Sequence, residues 1–158
     1  MRQAELVLAS IDDALLARHS RILCDSYRHW TGQPLIDAAL DKQAQQLYQA
    51  SFAVASHDAQ ADPLFNYANA QAQHLFGMCW DEIIGLPSRY SAEPVLREER
   101  ASLLERVERN GFVDDYCGVR IGKDGSRFMI RNATVWNLLD EKGAYYGQAA
   151  LIKDWKWL

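Results

Sequence analysis

The stretch that decides the fold runs from Phe112 to Ile152, FVDDYCGVRIGKDGSRFMIRNATVWNLLDEKGAYYGQAALI. It holds three runs rich in β-branched, aromatic and other apolar residues, separated by two turn signals. Gly122-Lys123-Asp124-Gly125 contains the Asp-Gly pair favoured in tight hairpins, and Asp140-Glu141-Lys142-Gly143 supplies a second break. The spacing predicts strands over Phe112 to Ile121, Arg127 to Leu139 and Tyr145 to Ile152, joined as antiparallel neighbours.

Upstream, Phe52 to Ser56 and Leu64 to Tyr67 read as two more strands joined by the turn Asp58 to Pro63, since Asp and Pro both favour turns. Short helices are expected over Asn69 to Phe76 and Trp80 to Ile84, with a longer one over Glu98 to Arg109. Gly77, Gly85, Pro87 and Gly111 punctuate them. Before residue 51, Ile11, Leu15, Leu16, Ile22, Leu23 and Tyr27 recur at steps that form one helix stripe, with Ser10 and Asp13 as a capping pair. A second helical stretch is expected over Asp41 to Ala50. The order of two strands, helices and three strands implies an α+β fold: a five-stranded antiparallel sheet with helices on one face. We divide the chain into a helical leader, 1–50, and a sheet domain, 51–158.

The 158 residues are 49% hydrophobic and 24% charged, which suits one folded domain and excludes a disordered chain. A formal charge of −4 supplies no global basic field for a phosphate backbone, so nucleic acid is not an expected partner. No apolar run approaches the roughly 20 residues of a membrane span. Cys24, Cys79 and Cys117 form neither a CxxC pair nor an even disulfide set, which places the chain in a reducing cytoplasm.

The order of elements resembles the PAS fold. Tyr67-Ala68-Asn69 ends the second strand, Trp80 to Gly85 (WDEIIG) opens the mid-chain helices, and Lys123 to Ser126 (KDGS) makes the hairpin. More specifically, SHDAQADPLFNYAN, LFGMCWDEIIGLPSRYSAEP, REERASLLERV, GFVDDYCGVRI and RFMIRNATVWNLLD resemble the MEKHLA family, a PAS-like domain of bacterial proteins and plant homeodomain leucine-zipper regulators. SYRHWTG, Ser26 to Gly32, extends the resemblance to the bacterial form into the leader. The resemblance implies a PAS-like sheet and a sensory or regulatory association. It implies no ligand and no catalytic set.

Neither does the sequence supply an enzyme's signature: there is no GxSxG elbow, HExxH helix or phosphate-cradling glycine loop. His57, Asp58 and Asp62 match no dependable metal spacing, and Asn69 reads as a helix cap. Light-sensing PAS relatives carry a cysteine on the short helix after the mid-chain glycine, and LPSRYSAEP has none. The long helix has no histidine for a haem. The cofactor is therefore left unknown, with a noncovalent flavin still open.

Strict alternation along Arg127 to Leu139 puts Phe128, Ile130, Asn132, Thr134, Trp136 and Leu138 on one face, expected to meet the helices. Asn132 and Thr134 then stand as polar groups in an apolar wall. On the neighbouring strand alternation sets Asp115 among apolar residues, where a carboxylate needs a partner, and Arg89 is the candidate. The expected ligand site is Asp115, Asn132 and Thr134 for polar contacts, bordered by Arg89, with Trp80, Tyr90 and Trp136 over the apolar parts. The competing reading is a filled core in which these groups satisfy one another. Met129, Ala133 and Val135 on the second face need cover, either from the leader of the same chain or from a partner in a homodimer. Two functions result: a ligand-binding sensory module acting through another protein, or an interaction and dimerisation module with no ligand.

Overall fold

The computed structural model describes residues 13–91 and 97–158. Ser10 and Ile11 lie outside them. Two helices, α1 (Asp13–Thr31) and α2 (Gln43–Tyr48), precede strands β1 (Ala53–His57) and β2 (Phe65–Ala68). Then come α3 (Ala70–Phe76), α4 (Trp80–Ile83), a 3₁₀ turn (Ser88–Ser91) and α5 (Arg97–Asn110). The chain closes with β3 (Phe112–Ile121), β4 (Arg127–Leu139), β5 (Tyr145–Ile152) and β6 (Asp154–Trp157). The three long strands match the sequence expectation; β6 was not anticipated.

The sheet is antiparallel in the order β2-β1-β5-β4-β3. β6 continues past β5 along the same side of β4: β4 pairs with β6 over Phe128 to Arg131 and with β5 from Thr134 onward. Between these two partners lies Asn132, with φ +51°, the only non-glycine at positive φ among the described residues. Asparagine tolerates this left-handed conformation better than other side-chain-bearing residues. Opposite it, β3 advances two residues from Tyr116 to Gly118 while β4 spends three from Ala133 to Ile130. This is a β-bulge, and one extra residue inverts the facing of everything after it.

The expected alternation along β4 is corrected accordingly. Phe128, Ile130 and then Ala133 share one apolar core with Phe65, Phe76 and Ile152, and Val135 joins Leu103 and Val107 of α5. Trp136 and Leu138 turn to the opposite face, where they pack with Leu16, Ile22 and Leu23 of α1. The leader thus covers the outer face of its own sheet, but over Trp136 and Leu138 rather than over Ala133 and Val135. Trp30 Nε1 donates to the Asn137 carbonyl at 2.9 Å, and Ser26 Oγ accepts from the Leu139 amide at 2.8 Å, fixing α1 along β4.

Asn69 ties leader, sheet and helix together from a fully buried position. Its Oδ1 accepts from the Ala72 and Val54 amides, both at 3.0 Å, capping α3 and continuing β1. Its Nδ2 donates to the Leu47 and Phe52 carbonyls at 3.1 and 2.9 Å. All four hydrogen-bonding positions of the amide are used.

Candidate functional site

Between the inner sheet face and α5 lies a pocket of about 70 Å³. Phe65, Phe76, Leu103, Ile130, Ala133 and Val135 give it apolar walls. The bulge at Asn132 is what brings Ala133 and Val135 there. The polar lining is Ser56, His57, Ser91, Arg100, Tyr116, Arg120 and Gln148.

His57 and Gln148 are directly paired across β1 and β5. The strands can lie this close because Gly147 has no side chain: a Cβ there would stand 2.0 Å from the His57 carbonyl oxygen, and its φ is +150°. His57 Nδ1 meets the Asp58 carbonyl at 2.8 Å, so it carries the proton and Nε2 is left as an acceptor. Burial pushes the His57 pKa down and the nearby Arg100 charge adds to this, against the Asp58 carbonyl and charge and the facing Gln148 side chain, which favour the protonated ring. The ring is neutral at pH 7. Gln148 Nε2 spends both hydrogens, on the Leu104 carbonyl at 2.9 Å and on Asn137 Oδ1 at 3.1 Å. Its Oε1 is therefore fixed as a second acceptor. Both His57 Nε2 and Gln148 Oε1 are buried without a hydrogen-bond partner.

Arg100, 8% exposed, projects from α5 and donates to Ser88 Oγ on the 3₁₀ turn. Arg120 comes from β3 with its guanidinium 5.1 Å from the centre of the Tyr116 ring. Gly118 makes that arrangement possible, since a Cβ there would stand 2.3 Å from the Tyr116 hydroxyl. Burial, and then the Arg120 charge, lower Arg100 to about 10; burial also lowers Arg120. Both stay cationic at pH 7. Two outer grooves adjoin the pocket: one beside Asp62, Arg89 and Arg97 that shares His57, Arg100, Leu104 and Gln148, and one that shares Arg100, Tyr116 and Arg120 and includes Glu99.

None of the seven residues singled out from the sequence lines this pocket. Asp115 and Asn132 are exposed and Thr134 is half-buried. Trp136 is fully buried on the α1 face, edge-on to Tyr27 at 5.0 Å. Trp80 packs edge-on against Tyr67 at 5.8 Å. Arg89 pairs with Asp62 at 3.1 Å rather than with Asp115, and its guanidinium lies 4.4 Å from the Tyr90 ring centre. Arg89 does border one outer groove. The sequence reading missed Arg100, Arg120 and Gln148, and it weighed His57 as a metal ligand. The recoverable signal was Tyr116-x-Gly118-x-Arg120, two large polar residues flanking a glycine on one strand face.

Solved structures similar to this chain include a PAS domain, a light-oxygen-voltage domain and the photoreceptor Vivid. A PAS domain of a protein from Colwellia psychrerythraea is 21% identical with a TM-score of 0.61, covering 73% of this chain and 95% of that one. The photo-excited blue-light photoreceptor Vivid is 18% identical with a TM-score of 0.58, covering 84% and 94%. A light-oxygen-voltage domain studied with a flavin analogue is 21% identical with a TM-score of 0.51, covering 73% and 83%. The fold is PAS-like. Within that class, the MEKHLA domain model matches residues 17–157, and the chain belongs to the MEKHLA domain family. No curated protein matches it. The match takes in α1, in keeping with the helix's place in the core. Among the described residues no helix is long and apolar enough to cross a membrane, and no cluster of His, Cys, Asp or Glu is suited to a metal.

Proposed function

We propose that this chain is a PAS-like sensory module whose inner pocket takes a small molecule. The observation that carries this is the pair His57 Nε2 and Gln148 Oε1. Two acceptors lie side by side at the end of an apolar pocket, buried and without a donor. A buried acceptor left unpaired costs about 1–3 kcal/mol, so two of them favour a molecule that brings a hydrogen-bond donor. Apolar walls with a few convergent polar groups are the usual make-up of a small-molecule site. The two adjoining grooves give the pocket routes to solvent.

Some of the similar structures are light-oxygen-voltage proteins, but this pocket does not fit a flavin. Its 70 Å³ falls far below the roughly 300–1,000 Å³ of sites for drug-sized ligands. The 3₁₀ turn Ser88–Ser91 offers no thiol, and no cysteine lines the pocket. Cys24 is buried, and desolvation pushes its thiol up to about 12.

Ligand state would pass outward through α5 and the sheet to a partner protein. A homodimer would have to use the solvent side of α1, since the other side is already committed to its own sheet. The test is native against denaturing mass spectrometry on gently purified protein, with the Gln148→Leu variant alongside. A reproducible noncovalent mass excess, reduced in the variant, is expected. A bare polypeptide, together with pocket methyl signals that respond to no small probe, would overturn the proposal.

A further inference from the structure

Arg100 and Arg120 reach one pocket from opposite sides, α5 and β3, and feel each other's charge. In a chain of net charge −4 this is a local concentration of positive charge. Among the described residues no carboxylate lines the pocket. Among the described residues the nearby acids lie in the outer grooves: Asp62, held by Arg89 though its charge still reaches Arg100, with Glu105 and Glu108 in one, and Glu99 in the other. Arg100 has the Ser88 hydroxyl, and Arg120 the Val119 carbonyl and the Tyr116 side chain. A buried cation with no carboxylate in direct contact is costly for a core to hold.

We infer that the molecule taken by this pocket is a small organic anion of the short-chain carboxylate class, its carboxylate held by Arg100 and Arg120. The inference rests on the pocket proposed above and adds the charge of its occupant. Planar guanidinium groups match carboxylate geometry and form the stronger, charge-assisted hydrogen bonds. The remaining wall of Leu103, Ile130, Ala133 and Val135 calls for a hydrocarbon portion, which inorganic phosphate lacks. Size limits that portion: 70 Å³ is about half the 150 Å³ cavity that holds benzene, so room exists for about three to five non-hydrogen atoms. A hydroxyl on the chain would supply the donor that His57 Nε2 and Gln148 Oε1 need.

The experiment is an NMR titration of the full chain, reading the arginine Nε–H signals and the Leu103, Ile130 and Val135 methyls. Sodium propionate, sodium lactate, propionamide and sodium phosphate are added at constant ionic strength. Saturable shifts with propionate, larger with lactate, and none with propionamide are expected. Arg100→Gln and Arg120→Gln should each weaken propionate binding by about tenfold or more. Equal binding of propionamide and propionate would overturn the anion while leaving the small-molecule pocket intact. Phosphate displacing propionate at equal concentration would overturn the carboxylate class while leaving an anion site. Silence of the methyls to all four probes would overturn the anion, and the retained-mass measurement would then decide the pocket separately. Should either glutamine variant fail to fold, the propionate and propionamide comparison on the unmodified chain decides alone.

Discussion

Asn132 offers a direct test of how the inner face of the sheet is built. Its backbone sits at φ +51°, and its exposed side chain makes no hydrogen bond with any described residue. Substitution there isolates a backbone effect. A left-handed conformation costs an L-residue about 1–2 kcal/mol, glycine pays nothing, and a β-branched residue pays most. Asn132→Gly should therefore match the unmodified protein or gain up to about 1 kcal/mol. Asn132→Ala should lose about 1 kcal/mol and Asn132→Val about 2 kcal/mol, despite valine's preference for strands. For a domain of this size the valine variant should melt about 4–8 °C lower. Urea denaturation followed by circular dichroism gives the free energies, with slopes compared to confirm an unchanged fold. A glycine variant that loses as much as the valine variant would refute the bulge as the feature that turns Ala133, Val135 and Asn137 toward α5.

Two further outcomes follow from single buried groups. Asn69→Ala removes four hydrogen bonds and the cap of α3 at a fully buried site, so a loss of about 3–5 kcal/mol is expected by the same denaturation. A loss below about 1 kcal/mol would show that its partners find other acceptors and donors. His19, hydrogen-bonded to Ser56 Oγ at 2.8 Å, is pushed down to about 4, first by desolvation and then by the Arg18 charge. Its folded pKa lies below the unfolded value, so its contribution is fully present above about pH 6.5 and is lost as pH falls through 4. Up to about 3 kcal/mol should disappear across that window, and His57 adds a loss of the same sign. His19→Gln should flatten the stability profile between pH 7 and 4; an unchanged slope would remove His19 from the account.

The sequence by itself determined the first five strands, their turns and their antiparallel pairing, though not β6, because period-two apolar runs and Asp-Gly turns are local signals written at the positions they govern. It determined Asn69 as a cap for the same reason: the side chain serves an amide three residues away. The site was not local in this sense. Its walls come from β1 to β5, α3 and α5, and the facing of β4 depends on a bulge whose trace in the sequence is an asparagine inside a strand. Strict alternation carried Asn132, Thr134 and Trp136 to the helical side. The structure instead places Ala133, Val135 and Asn137 there, since one added residue inverts a pleat of period two. The convergence of Arg100 with Arg120, and of His57 with Gln148, joins residues 20 and 91 positions apart, so only tertiary packing decides it.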